Sequence, residues 1–96
     1  MKVPLRYEMN MGVLTKKDLE KLHGVKVAVV GLGGLGGHVV NQLVRLGLKH
    51  ITLIDFDQFS ESNLNRQLFA TMKSIGQYKV NVVSKALKEI NPDLMI

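Results

Sequence analysis

Cysteine and tryptophan are absent from this sequence of 96 residues, which also has only two tyrosines and three phenylalanines. Without cysteine there is no disulfide framework, no zinc–thiolate site and no thiol nucleophile. So few aromatic rings provide no stacking platform for bases, so the net charge of +5 does not by itself indicate a nucleic-acid-binding protein. The positive field would equally suit a nucleoside triphosphate.

Long hydrophobic runs are also missing. The longest uncharged apolar stretch, residues 27–37, is interrupted by glycines and is far shorter than the roughly 20 residues of a membrane span. Charge at Lys2 and Arg6 comes too early for a signal peptide. We therefore expect a cytoplasmic protein with no membrane association. The three histidines are too scattered along the chain to predict a metal site.

The size and composition predict one domain over residues 1–96, with an arm and a short helix in residues 1–23 and a Rossmann-like βαβα unit in residues 24–96. The hydrophobic fraction of 46% is typical of a globular unit, and the length is below that of a complete α/β nucleotide-binding domain. We therefore expect a fragment that needs further sequence or a partner surface, binds nucleotide weakly and is inactive alone.

Local patterns predict the first elements. Thr15 and Asp18 have the spacing of a capping box, which opens a short helix that ends near Gly24. Residues 25–30 are mostly β-branched and apolar, as expected of a parallel strand covered on both faces. Residues 51–55 form a second such strand.

Helices are predicted after each strand. Apolar residues at helical spacing outline the first of these helices at Leu35, Val39, Leu43 and Leu46, and the second at Val80, Val83, Leu87 and Ile90. Asn91-Pro92 ends the second helix, and residues 93–96 begin a third strand. The predicted fold class is α/β, a Rossmann-like parallel sheet with flanking helices, truncated at the start of its third strand.

The turn after the first strand matches G-x-G-x-x-G through Gly31, Gly33 and Gly36. In this context the amides at the helix start face a phosphate, and Asp55 at the end of the second strand accepts ribose hydroxyls. The motif admits NAD as well as ATP, and Asp57 is a weaker candidate. The extra glycine inside the motif, Gly34, favours ATP.

A polar loop over residues 57–76 strengthens the preference for ATP. It carries hydroxyl, amide and guanidinium groups at Ser62, Asn63, Asn65, Arg66 and Gln67. Lys79 follows at the start of the next helix. The positive charges of Arg66 and Lys79 would suit a polyphosphate.

These motifs together resemble the ubiquitin-activating-like enzymes, which include the ThiF, MoeB and HesA group. The resemblance rests on five segments in family order within residues 24–96, at residues 31–36, 55–57, 62–67, 76–79 and 90–92. It implies that a carboxylate, the C-terminal glycine of a ubiquitin-like sulfur-carrier protein, is adenylated with ATP and Mg²⁺.

The resemblance also implies roles for residues and a partner. The backbone around Gly34 would approach the nucleotide, Asp55 would hold the ribose, and Asn63, Arg66 and Lys79 would contact phosphates, with Arg66 and Lys79 as the catalytic cations. The usual magnesium-binding aspartate would lie beyond Ile96. The enzymes act as homodimers in which an N-terminal arginine reaches ATP in trans, and here Met9 occupies that place.

Three alternatives stay open. The first alternative is a tRNA threonylcarbamoyladenosine dehydratase of the same family, whose substrate would be tRNA. Under the other interpretations we do not expect a nucleic-acid partner. An NAD-dependent oxidoreductase domain would explain the glycine turn and Asp55 but not the polar loop. The third alternative is a non-catalytic fragment that acts only as a dimerisation module.

Overall fold

The computed structural model of the protein describes residues 2–96. In chain order the elements are a 3-10 helix Leu5–Asn10, helix α1 Lys16–Gly24, strand β1 Lys26–Val30, helix α2 Gly36–Leu46, strand β2 His50–Ile54, a 3-10 helix Glu61–Asn65 and helix α3 Lys79–Ile90. This α/β arrangement confirms the predicted fold class.

The two strands pair in parallel, with Lys26 opposite His50 and Val30 opposite Ile54. The predicted third strand is present as a single bridged residue beside β2. The amide of Ile51 donates to the carbonyl of Met95 at 2.9 Å, and the Met95 amide donates to Lys49 at 2.8 Å.

Helices α2 and α3 pack together on one face of the sheet, the face to which alternate residues of each strand point. Val29 and Leu53 point to this face and pack against the core. The fully covered residues of the core are Leu32, Val40, Val44, Leu48, Ile51, Phe59, Val83, Leu87 and Leu94. The core therefore lies between the sheet and the two helices, next to the turn that connects β1 to α2.

Within residues 2–96 no helix covers the opposite face of the sheet, which differs from the expectation of a strand covered on both faces. Ala28 and Thr52 are exposed there, and Val30 exposes 77% of its surface. Both long helices of residues 2–96 lie on the other face, so apolar composition overstated the burial of β1. The β-branched residues reflect strand propensity as well as burial.

Helix α2 has the predicted extent but a different buried face. Val40 and Val44 are fully buried, whereas Leu35 is 78% exposed and Val39 and Leu46 are also exposed. The sequence offers apolar residues on two sides of this helix, and contact with α3 decides which side is covered. The outer side lines a shallow groove of about 400 Å³.

The predicted N-terminal arm is packed against the domain through its 3-10 helix. The Tyr7 side chain is buried, and its hydroxyl accepts a hydrogen bond from Asn91 Nδ2 at 2.9 Å. Arg6 forms an ion pair with Asp93 at 2.6 Å. The predicted capping box is confirmed, since Thr15 and Asp18 bond reciprocally at the start of α1.

Candidate nucleotide-binding site

The glycine turn depends on two residues whose conformation or surroundings exclude a side chain. Gly31 has a φ of 89°, which favours glycine, and its amide donates to the Ile54 carbonyl at 2.8 Å. A Cβ on Gly36 would lie 1.8 Å from the Gly31 carbonyl oxygen. Glycine at 36 therefore allows the start of α2 to lie directly against the end of β1.

Three consecutive amides in this turn are available to a ligand. In the part of the chain that the structure describes, the amides of Gly33, Gly34 and Leu35 donate to no protein acceptor. They lie at the N-terminus of α2, where the helix dipole adds partial positive charge. Such an arrangement can bind a phosphate.

Asp55 joins the glycine turn to the segment after β2. Its Oδ2 accepts the Leu32 amide at 2.7 Å, and its Oδ1 accepts the Asp57 amide at 2.7 Å. A carboxylate oxygen has more than one acceptor position, so hydroxyl groups of a ligand can still bind. Asp55 is thus a structural tie as well as the predicted ribose-binding residue.

Arg66 lies beside the glycine turn, as its predicted role requires. A Cβ on Gly34 would meet Arg66 Cδ and Nε at 3.7 Å. The guanidinium is held by Asn65, whose Oδ1 accepts from Nη1 at 3.0 Å, and by the Ser62 carbonyl at 3.4 Å. The side chain is exposed, so its charge faces the surface above the turn.

Two other predicted loop residues have structural contacts. Asn63 is nearly buried and its Oδ1 accepts the Ser60 amide at 2.8 Å, which caps the second 3-10 helix. Gln67 is 6% exposed and lies under the turn, with Nε2 at 3.8 Å from a Cβ built on Gly33. Its Oε1 has no hydrogen-bond partner within residues 2–96.

Lys79 is connected to the same network through the main chain. Its amide donates to the Asp57 carbonyl at 3.0 Å, so Asp57 links Asp55 to the start of α3. The Lys79 side chain is only 6% exposed, and its Nζ lies 5.6 Å from the centroid of the Phe59 ring. The structure therefore places the glycine turn, Asp55 and Lys79 in one hydrogen-bonded unit.

Sequence reasoning missed two residues at this site. His38 Nε2 lies 3.3 Å from the carbonyl oxygen of Arg66, which ties the polar loop to α2. Phe59 supports Lys79 from a position 20 residues earlier in the chain. Neither residue belongs to a local pattern, so the sequence had no signal for these contacts.

Between residues 2 and 96 there is no group of three or more histidine, aspartate or glutamate side chains arranged to hold a metal ion. No helix in that part of the chain has the length and apolar character needed to span a bilayer.

The comparison with known families decides the classification. Residues 6–96 match the ThiF family. The chain belongs to the ThiF family. Membership confirms the resemblance to ubiquitin-activating-like enzymes and extends the matched region to the N-terminal 3-10 helix.

The chain is similar to ThiF-family proteins that are named for two different activities, a dehydratase and an adenylyltransferase. A tRNA threonylcarbamoyladenosine dehydratase from Haemophilus influenzae is 38% identical over 94% of this chain. A molybdopterin-synthase adenylyltransferase from Salmonella typhimurium is 44% identical over 80% of it. The chain spans 36% and 31% of these two proteins, about a third of the length of each.

A solved structure has the same architecture with a nucleotide bound. The Escherichia coli tRNA N6-threonylcarbamoyladenosine dehydratase in complex with ATP superimposes with a TM-score of 0.91 and 32% identity. The match covers 94% of this chain and 37% of that one. The nucleotide bound in that relative is ATP.

Proposed function

We propose that this ThiF-family chain binds ATP as the nucleotide-binding part of an enzyme that adenylates a carboxylate. The observation that carries the proposal is the glycine turn, whose three unpaired amides lie beside Arg66 and are tied to Asp55. The ATP complex of the E. coli relative supports the same nucleotide.

Each residue has a proposed role in binding. The amides of Gly33 and Gly34 bind phosphate oxygens, Asp55 accepts hydroxyls of the ribose, and Arg66 and Lys79 neutralise the phosphate chain. Gly31 and Gly36 allow the turn to form. The surrounding loop supports these groups through Asp57, Ser62, Asn63, Asn65 and Gln67.

The reaction follows from charge neutralisation and positioning. A carboxylate oxygen of the substrate attacks the α-phosphorus of ATP, the bond to the bridging oxygen of the β-phosphate breaks, and pyrophosphate leaves with that electron pair. The products are an acyl-adenylate and pyrophosphate. Arg66 and Lys79 stabilise the negative charge that moves onto the leaving group, and no side-chain nucleophile is needed.

Two carboxylate substrates fit this chemistry. The C-terminal glycine of a ubiquitin-like sulfur-carrier protein is supported by the 44% identity to the adenylyltransferase. The carboxylate of threonylcarbamoyladenosine in tRNA is supported by the dehydratase relatives, whose similarity extends over more of the chain. The net charge of +5 would also favour the approach of tRNA.

ATP turnover with each substrate separates these two activities. Because this chain spans only about a third of the length of its relatives, a full-length protein that contains it is assayed for ATP–pyrophosphate exchange with a carrier that ends in Gly-Gly, and for ATP hydrolysis with tRNA. Exchange that requires the carrier identifies the first activity, and hydrolysis that requires tRNA identifies the second. Tight NADH binding together with no response to either substrate would overturn adenylation.

A homodimer is the proposed assembly, with a modified contact at the N-terminal 3-10 helix. Met9 is 95% exposed at the place where the family resemblance implies an arginine. Because a thioether carries no charge, we propose that this position gives the second active site no phosphate-binding cation. Sedimentation equilibrium tests the dimer, and a monomer at all concentrations would contradict it.

A further inference from the structure

A buried aromatic ring lies beneath the cation at the start of α3. Phe59 is 2% exposed, and the Lys79 Nζ lies 5.6 Å from its ring centroid. The face of an aromatic ring carries partial negative charge and attracts an ammonium group at this distance. Phe59 therefore stabilises Lys79 in one particular position.

Lys79 has little else to compensate for its burial. The residue is 6% exposed, and within residues 2–96 its ammonium forms no ion pair with a carboxylate. A ring face attracts the ammonium group but does not neutralise its charge. The charge without an opposite partner makes the surroundings of Nζ a favourable place for an anion.

The main chain holds the ring and the lysine in a fixed relation. The Phe59 amide donates to the Gln77 carbonyl at 2.9 Å, and the Phe59 carbonyl accepts the Gly76 amide at 2.8 Å. The Lys79 amide donates to Asp57 at 3.0 Å. Three hydrogen bonds therefore join residues 57–59 to residues 76–79, so the main chain holds the two residues at a fixed separation.

We propose that Phe59 is a positioning residue, which holds the Lys79 ammonium ready for the phosphate chain of a nucleoside triphosphate. The inference rests on the proposed ATP function and adds a specific determinant to it. Phe59 acts through Lys79 and does not touch the nucleotide. Its contribution is to binding of the phosphate chain and not to binding of the nucleoside.

The test measures affinities for ATP, inorganic triphosphate and adenosine in wild-type protein and in variants. Phe59→Leu keeps an apolar side chain but removes the ring face. We expect affinity for ATP and for triphosphate to fall about fivefold, with adenosine unchanged. Phe69→Leu is the matched control, since Phe69 is a partly buried ring packed against the same core, and its affinities should stay at the wild-type level.

A double-mutant cycle separates positioning from general stability. In a Lys79→Met background, Phe59→Leu should cause no further loss of triphosphate affinity, because the group that it positions is gone. If Phe59→Leu fails to fold in urea titrations, Phe59→Met fills the same space with a flexible side chain and replaces it.

The outcomes distinguish this inference from the proposed function. No ATP binding by the wild-type protein would contradict the function itself. ATP binding that weakens in Lys79→Met but not in Phe59→Leu would overturn only the role of Phe59. Equal losses from Phe59→Leu with and without Lys79 would also overturn it, because the ring would then act independently of the lysine.

Discussion

At the scale of single residues, Gly34 and Gly36 have different roles in the turn. Gly36 prevents a collision with the Gly31 carbonyl, whereas Gly34 has ordinary contact distance to Arg66. The same motif therefore contains one glycine required by backbone packing and another that leaves space above the turn. The sequence alone does not distinguish these two roles, because both residues are glycines of the same motif. Their different surroundings in the structure do.

Alanine at these two positions tests the difference. Gly36→Ala places its Cβ 1.8 Å from a carbonyl oxygen, so the turn must shift. We expect a loss of about 2 kcal/mol in the free energy of unfolding, measured by urea denaturation. The control Gly34→Ala should lose less than about 1 kcal/mol. Equal losses for the two variants would contradict the assigned packing role.

The closeness of the candidate site residues was easier to predict from the sequence than their individual contacts. Gly31, Gly36 and Asp55 are specified by local turn geometry and by the ends of parallel strands, and the structure brings them together. The burial of Gln67 and the support of Lys79 by Phe59 depend on contacts between distant segments. A single sequence carries no periodic signal for such contacts.

At the scale of elements, the N-terminal 3-10 helix is fixed by a buried hydrogen bond. Asn91 Nδ2 donates to the Tyr7 hydroxyl at 2.9 Å, and Asn91 is 2% exposed. Helix boundaries followed from caps and proline, which are local. The packing of residues 5–10 was not predicted, because it depends on a partner 84 positions away.

Removing the Tyr7 hydroxyl tests this attachment. Tyr7→Phe keeps the ring but leaves the buried Asn91 amide without its acceptor. We expect unfolding free energy to fall by about 1–3 kcal/mol in urea titrations. Tyr78→Phe is the control, because Tyr78 is half exposed and should change stability little. An unchanged free energy of unfolding in Tyr7→Phe would show that the hydrogen bond contributes nothing to stability.

The partial burial of His23 near the end of α1, where its ring lies 6.0 Å from the Tyr7 ring, also makes stability depend on pH. Burial, with added repulsion from Lys49 and Arg6, holds the pKa of His23 below its usual value. The unfolded chain, in which the pKa of His23 is about 6.5, then binds more protons than the folded chain as the pH falls. The contribution of neutral His23 to stability is therefore fully present above that pKa. It is lost as the pH falls from there towards the lower pKa of the folded state.

Urea midpoints at about pH 7.5 and pH 5.5 measure this effect. The wild-type protein should be less stable at the lower pH. His23→Gln removes the titrating group, so its loss of stability between the two pH values should be smaller. A steeper pH dependence in His23→Gln than in the wild type would contradict the assigned direction.

At the scale of the whole molecule, the described chain has one covered and one open sheet face. Val30 and the other outward residues of β1 have no helix above them within residues 2–96. The expected two-sided burial failed because apolar composition reports strand propensity and not which neighbours are present. The carboxyl end of the sheet brings the glycine turn, Asp55, Arg66 and Lys79 together.

Amide chemical shifts test most directly whether this end of the sheet binds ATP. Nitrogen-15 spectra are recorded during titration with ATP and, separately, with NADH. We predict that ATP shifts the amides of Gly33, Gly34 and Leu35 together with the Arg66 side chain, even if binding is weak, while NADH leaves them unchanged. Shifts with NADH alone, or ATP shifts confined to other parts of the surface, would contradict ATP binding at the glycine turn.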